Sequence, residues 1–215
     1  MQVFNAASLS DGDFEQILVF IRAGGVIGFP TDTAYGLGAD PGSEKAVRQI
    51  FKIKGRPENR PILLLVSSFS MLHQVASFPE DLHDVVEKFW PGPLTLILPA
   101  LESIVSSSIT AGTGTVGVRW PDAGFAIRLV TAMNKPITAT SANRTGMETT
   151  VTAEEVRFQL HDRLDILVDG GRLPARSGST LLDVSVDPPL LRREGPVSFE
   201  SLQKVLKGRI VRPVE

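Results

Sequence analysis

Helical and strand-like segments alternate along the whole chain, and this alternation restricts the fold more than any other feature of the sequence. Such a chain buries helices against a sheet, which makes it an α/β (α+β) layered domain. Phe14, Ile17, Leu18 and Ile21 recur at helical spacing, which predicts a helix over 11–23 stopped by Gly24-Gly25. A short buried strand over 26–29 leads into a polar, glycine-bearing loop. Ser43 is placed to cap a helix carrying Val47, Ile50 and Phe51 on one side. The unbroken apolar run 62–66 reads as a strand covered on both faces. Leu82, Val85, Val86 and Phe89 mark a further amphipathic helix, which Trp90-Pro91-Gly92-Pro93 ends and turns into a strand over 94–98. More strands are expected over 115–120, 136–140, 166–168, 180–184 and 190–193. Thr152 and Glu155 have capping-box spacing, and Ser198 caps a last helix ending near Leu206.

No composition break divides the chain, so one domain over 1–207 is expected, with a loosely held tail over 208–215. The stretch 170–179, rich in Gly, Arg and Ser, reads as a mobile loop that could close as a lid. With 215 residues, 42% of them hydrophobic and 21% charged, the chain can build a substantial core, which excludes a disordered protein. No apolar run is long enough to span a bilayer, and the first residues carry no basic-then-apolar signal, so a cytoplasmic location without membrane contact is expected. The absence of cysteine excludes disulfides, thiolate metal sites and cysteine nucleophiles. Lys plus Arg number 22 against 24 acidic residues, a net charge of −2. A protein that coats nucleic acid carries a basic excess, so small anions are better candidate ligands than a long polyanion.

Several chemistries are missing. No glycine-rich run ends in Gly-Lys-Ser/Thr, and no Gly-x-Ser-x-Gly elbow occurs. His73, His83 and His161 have no partner at metal-ligand spacing and are assigned to the solvated surface. What remains is a set of polar clusters, each at a strand end, where ligands of open α/β sheets collect. The first is 29–38, with Thr31, Asp32, Thr33, Tyr35 and two glycines; a turn with self-satisfied hydroxyls is an equal reading of it. The second is 52–61, where Lys52, Lys54, Arg56 and Arg60 gather at a helix end. Lys52 fits the favourable charge of a helix C-terminus, whereas Lys54, Arg56 and Arg60 suit anion binding. The third is Thr138-Ala139-Thr140-Ser141-Ala142-Asn143. The fourth places Arg119 inside an apolar strand, where it needs a buried partner or a bound anion. The last two are 177–183 and 191–195. Together they describe one polar, cation-rich pocket for a phosphorylated ligand.

In this order, PTDT-YGLG, KGRP before a core strand, WPGPLT, VGVRWP, SAN, ST-LLD and a terminal R-EG resemble the YrdC-like threonylcarbamoyl-adenylate synthases, from about Gly24 to Gly195. The resemblance implies a single twisted open sheet with a large, concave, positively lined cavity. It implies that threonine, bicarbonate and ATP are condensed to threonylcarbamoyl-AMP and pyrophosphate, for a separate transferase that modifies tRNA. It carries Lys54, Arg56, Ser141 and Asn143 over as catalytic. It assigns ATP to Arg56, Arg60, Thr115, Ser141, Thr149 and Arg193, and threonine to Thr33, Tyr35, Arg119, Ala139 and Ser179. Mg²⁺ is expected to arrive on the triphosphate, without a protein cage. Two positions depart from the family: Leu65 and Ala123 stand where many relatives carry His. The chain resembles the family's short form. The alternatives are a double-stranded RNA-binding module and a YciO-like paralogue of the same fold.

Overall fold

The computed structural model describes residues 1–174 and 178–213. In chain order its elements are β1 (Gln2–Asn5), α1 (Asp11–Arg22), β2 (Ile27–Pro30), β3 (Tyr35–Gly38), α2 (Glu44–Lys54), β4 (Leu63–Leu65), α3 (Phe69–Leu72), α4 (His83–Phe89) and β5 (Leu94–Pro99). There follow α5 (Ser107–Thr110), β6 (Thr115–Arg119), α6 (Gly124–Met133), β7 (Ile137–Ser141), α7 (Ala153–Leu160), β8 (Ile166–Asp169), β9 (Thr180–Asp183), β10 (Leu190–Arg193) and α8 (Phe199–Val205). The strands form one open mixed sheet in the order β1-β8-β2-β3-β7-β4-β6-β5-β9-β10.

Local chemistry sets the helix starts. Ser10 and Asp13 form a reciprocal capping box on α1. Ser43, Thr152 and Ser198 each accept the backbone N–H three residues on, so α2, α7 and α8 begin where their orphan donors are satisfied. Gly55 closes α2 in the left-handed conformation at φ 58°. The apolar faces read from the sequence are the buried ones: Phe14, Ile17, Leu18 and Ile21 on α1, and Val47, Ile50 and Phe51 on α2. The three histidines lie at the surface, where His83 stacks on Phe69 with ring centroids 5.9 Å apart.

Four differences from the sequence reading matter. The polar loop after β2 is in fact strand β3, paired antiparallel with β2 through Ile27–Gly38 and Phe29–Gly36. Its glycines, poor strand formers, are there because the Phe29 ring lies across them: a Cβ on Gly38 would come within 2.6 Å of that ring. Helix α6, not read from the sequence, buries Ala126, Leu129, Val130 and Met133 at ideal spacing. Its N-cap, Ala123, gives no side-chain bond, so no start signal marks it. The run 62–66 is not covered on both faces throughout, since Leu63 faces the cavity described below while Leu64 and Leu65 are buried. The stretch 208–211 is attached rather than loose. Ile210 is buried, Val211 N–H donates to Pro189 O at 2.9 Å, and Leu191 N–H donates to Val211 O at 2.9 Å.

Strand β7 is the hinge of the sheet. One edge pairs with β3 (Gly36–Ser141, Leu37–Thr140) and the other with β4 (Leu63–Ala139). This places the polar end of β7 between the turn after β2 and the end of α2, which are distant in sequence. Of the loop 170–179, the start is pinned: Gly170 N–H donates to Tyr35 Oη at 2.9 Å, and Tyr35 Oη donates to Gly171 O at 2.8 Å. Residues 175–177, and with them the expected mobility and lid, lie outside the described residues.

Candidate functional site

A cavity of about 660 Å³ opens on one face of the sheet from β3 to β10. Its floor follows the two-residue period of the strands: Thr115, Gly117 and Arg119 on β6, Thr95 and Ile97 on β5, Leu181 and Asp183 on β9. The partners of these residues on the other face, Val116, Val118, Leu96 and Leu182, are core. Register aligns the rows, with Ile97 opposite Gly117 and Asp183, and Leu63 opposite Ala139.

One part of the cavity wall carries a buried arginine. Arg119 is 3% exposed and donates from Nη1 to Thr33 Oγ1 at 2.8 Å, while its Nη2 faces Asp32 Oδ1 at 3.6 Å. Burial lowers the Arg119 pKa and Asp32 raises it again, with Arg193 acting in the same direction as burial. The guanidinium nonetheless stays charged, because its ordinary value lies so high. The self-satisfied reading of the turn after β2 accounts for Thr31, whereas the Thr33 hydroxyl reaches Arg119. Thr31 Oγ1 is consumed by its own turn, accepting from Thr33 N and Ala34 N at 3.2 Å and donating to Ala34 O at 2.7 Å; Thr33 Oγ1 is given to Arg119. Ser179 joins this wall through its hydroxyl contact with Thr95 at 2.7 Å. Its carbonyl accepts from Arg193 Nε and Nη2 at 3.1 and 2.8 Å.

A second group of donors in the lining gathers around Arg56. Arg56 donates from Nη1 to Thr140 Oγ1 at 3.0 Å and from Nη2 to Pro61 O at 2.8 Å, and its buried Nε has no hydrogen-bond partner among the described residues. Burial and the neighbouring Arg60 lower its pKa. Ser141 and Thr149 line the same cavity.

Of the residues singled out from sequence, Thr33, Tyr35, Arg56, Thr115, Arg119, Ala139, Ser141, Thr149, Ser179 and Arg193 all line this one cavity. Three do not. Lys54 is 4% exposed, and its ammonium donates to Ser141 O, to Asn143 O at 2.9 Å and to Asn143 Oδ1 at 3.1 Å. It therefore sits behind the Ser141–Asn143 turn, not in the cavity, and desolvation with Arg56 nearby pushes its pKa down to about 7. Asn143 is buried beside it, accepting from Ser141 Oγ at 2.5 Å and donating to Met147 O at 2.6 Å. Arg60 is exposed and outside the lining. Thr95, Thr113 and Thr140 line the cavity without having been selected. The two-residue strand period starting from Arg119 or Ser141 marks the lining strands, but not which neighbours share the cavity. Leu65 is fully buried and Ala123 packs against the core, so neither takes part in the lining.

The whole constellation can be tested against known proteins. A family model described as telomere recombination, Sua5/YciO/YrdC, matches residues 19–195. The chain belongs to this family. Threonylcarbamoyl-AMP synthase of Pyrococcus abyssi is 39% identical over 188 residues, covering 87% of this chain and 55% of that protein. The Bacillus subtilis protein of the same name is 36% identical over 207 residues, covering 96% of this chain and 60% of its own length. Sua5 of P. abyssi, solved with L-threonine, superposes with a TM-score of 0.93 at 36% identity, covering 98% of this chain and 63% of that one. This Sua5/YciO/YrdC chain thus spans 55–60% of the length of these two curated relatives. Among its described residues, no helix is long and apolar enough to cross a membrane, and no group of three or more His, Cys, Asp or Glu could hold a metal.

Proposed function

We propose that this chain condenses L-threonine, bicarbonate and ATP to threonylcarbamoyl-AMP and pyrophosphate, a nucleotidyl transfer that activates the threonylcarbamoyl group for tRNA. The observation that carries the reading is a single cavity lined by two separate arginine groups, Arg119 hydrogen-bonded to Thr33, and Arg56 hydrogen-bonded to Thr140 with Ser141 beside it in the chain. The names of the relatives and the threonine bound to P. abyssi Sua5 support it.

The chemistry explains why cations are required. The threonine amine captures bicarbonate, releasing water and forming a carbamate. A carbamate oxygen then bonds to the α-phosphorus of ATP, and the bond to the β-phosphate oxygen breaks. Two anions must meet, so catalysis rests on positioning and on cancelling charge. Arg119 takes the threonine carboxylate, with Thr33, Ser179, Tyr35 and Ala139 shaping that end. Arg56 and Ser141 face the carbamate and α-phosphate, while Arg193, Thr115, Thr149 and, from the rim, Arg60 receive the rest of ATP. Lys54 and Asn143 serve from behind, by fixing the turn that presents Ser141.

Mg²⁺ bound to the triphosphate would offset its charge. Asp183 lines the cavity, but its oxygens are consumed by Ser185 and Arg192, so the metal would rest on phosphate and water rather than on a protein cage. A transferase that consumes the product completes the scheme, and the lack of cysteine suits a reducing cytoplasm. The test is pyrophosphate release from the purified protein. It is expected only when threonine, bicarbonate and ATP are all present, and release that ignores threonine refutes the proposal.

A further inference from the structure

The carboxylate of the first polar cluster has no role in the scheme above. Asp32 lies between Thr31 and Thr33 in the turn joining β2 to β3, with its side chain only 11% exposed. Both of its oxygens are buried and, among the described residues, receive no hydrogen bond. They are closed to water, so Asp32 does not touch a ligand. Its one charged neighbour by ion-pair distance among the described residues is Arg119, with Nη2 at 3.6 Å from Oδ1.

That spacing is informative. A carboxylate that gripped Arg119 bidentately would consume the face of the fork that binds anions. At 3.6 Å the charge is matched, but the N–H groups of Nη2 are not used up by a hydrogen bond to Asp32, and Arg119 still lines the cavity. The adjacent residue supplies the aim, since Thr33 Oγ1 accepts from Nη1 at 2.8 Å. The turn itself is rigid, because the Thr31 hydroxyl ties Thr33 N, Ala34 N and Ala34 O together. Two consecutive residues of a fixed turn thus hold the guanidinium from one side and leave its remaining donors to the cavity. Asp32 also offsets the repulsion that Arg193 exerts on Arg119.

We propose that Asp32 is a positioning residue, a counter-charge held just out of hydrogen-bond range so that Arg119 stays fixed and open for the carboxylate of the amino-acid substrate. Its identification with threonine rests on the function proposed above, but the coupling of Asp32 to Arg119 does not. The test is calorimetric titration of wild type, D32N, D32E, R119M and the D32N/R119M pair with L-threonine and, separately, with ATP. D32N is expected to weaken threonine about tenfold while ATP affinity stays within about twofold. D32E is expected to recover part of the loss, and D32N to add nothing in the R119M background. A folded D32N that binds threonine as tightly as wild type overturns the inference, as does equal weakening of both ligands. If wild type binds no threonine, the functional reading fails instead. Urea unfolding of the same proteins then decides the pair: coupled losses are expected, and strictly additive ones overturn it.

Discussion

Replacing Lys54 by Met separates two opposing energies at one buried atom. Among the described residues no carboxylate lies within ion-pair distance of the buried ammonium, and its pKa falls from 10.5 to about 7. That gap of about 3.5 corresponds to about 5 kcal/mol of burial penalty while the group is charged. In the opposite direction, removing Nζ takes the ammonium donor from Ser141 O and Asn143 O, at about 1–3 kcal/mol for each buried acceptor left unpaired, while Asn143 Oδ1 keeps the Ser141 hydroxyl at 2.5 Å. The sign with pH follows from linkage. Below pH 7 both folded and unfolded chains hold the proton, and the penalty is fully present. Between about 7 and 10.5 the unfolded chain binds more protons, so wild-type stability rises with pH, and above 10.5 the penalty is gone. K54M lacks this dependence. Near pH 6 the two terms nearly cancel and the variant should unfold within about 2 kcal/mol of wild type. By pH 10 wild type should be several kcal/mol the more stable of the two. Urea unfolding at intervals from pH 6 to 10 measures the difference, in which all other titrating groups cancel. A difference that does not change across that range refutes the assignment of a buried, unpaired ammonium to Lys54.

Two further outcomes follow from the cavity walls. Arg193→Ala should raise the KM for ATP about 10- to 100-fold, the worth of a hydrogen bond to a charged group, and leave the KM for threonine less affected; steady-state pyrophosphate release with each substrate varied checks this, and an unchanged KM for ATP removes Arg193 from the nucleotide site. Gly195→Ala would bring a Cβ within 2.7 Å of Thr180 N and 2.9 Å of Gly178 O, backbone atoms that cannot step aside, so a loss of about 2 kcal/mol is expected as a lowered melting temperature, and an unchanged one contradicts the packing.

Much was legible without coordinates because it depends on near neighbours in the chain. Ser43, Thr152 and Ser198 start their helices wherever those helices later pack, and the apolar spacing of α1 and α2 names their buried faces. The order of the polar segments located the cavity walls for the same reason, since a strand end followed by hydrogen-bonding residues is a local pattern. Three-dimensional packing decided the rest. Lys54 and Arg56 are two residues apart at one helix end, yet one points behind the Ser141 turn and the other into the cavity. Nothing in their immediate sequence separates these fates; the position of β7 against α2 does. The glycines of β3 read as a loop until the Phe29 ring is seen lying across them. Arg119 announced that it needed a partner, but only the pairing of β2 with β3 and the placing of β6 set Asp32 and Thr33 beside it. Local sequence fixes which groups carry charge and where elements begin, whereas long-range strand order fixes which charges meet.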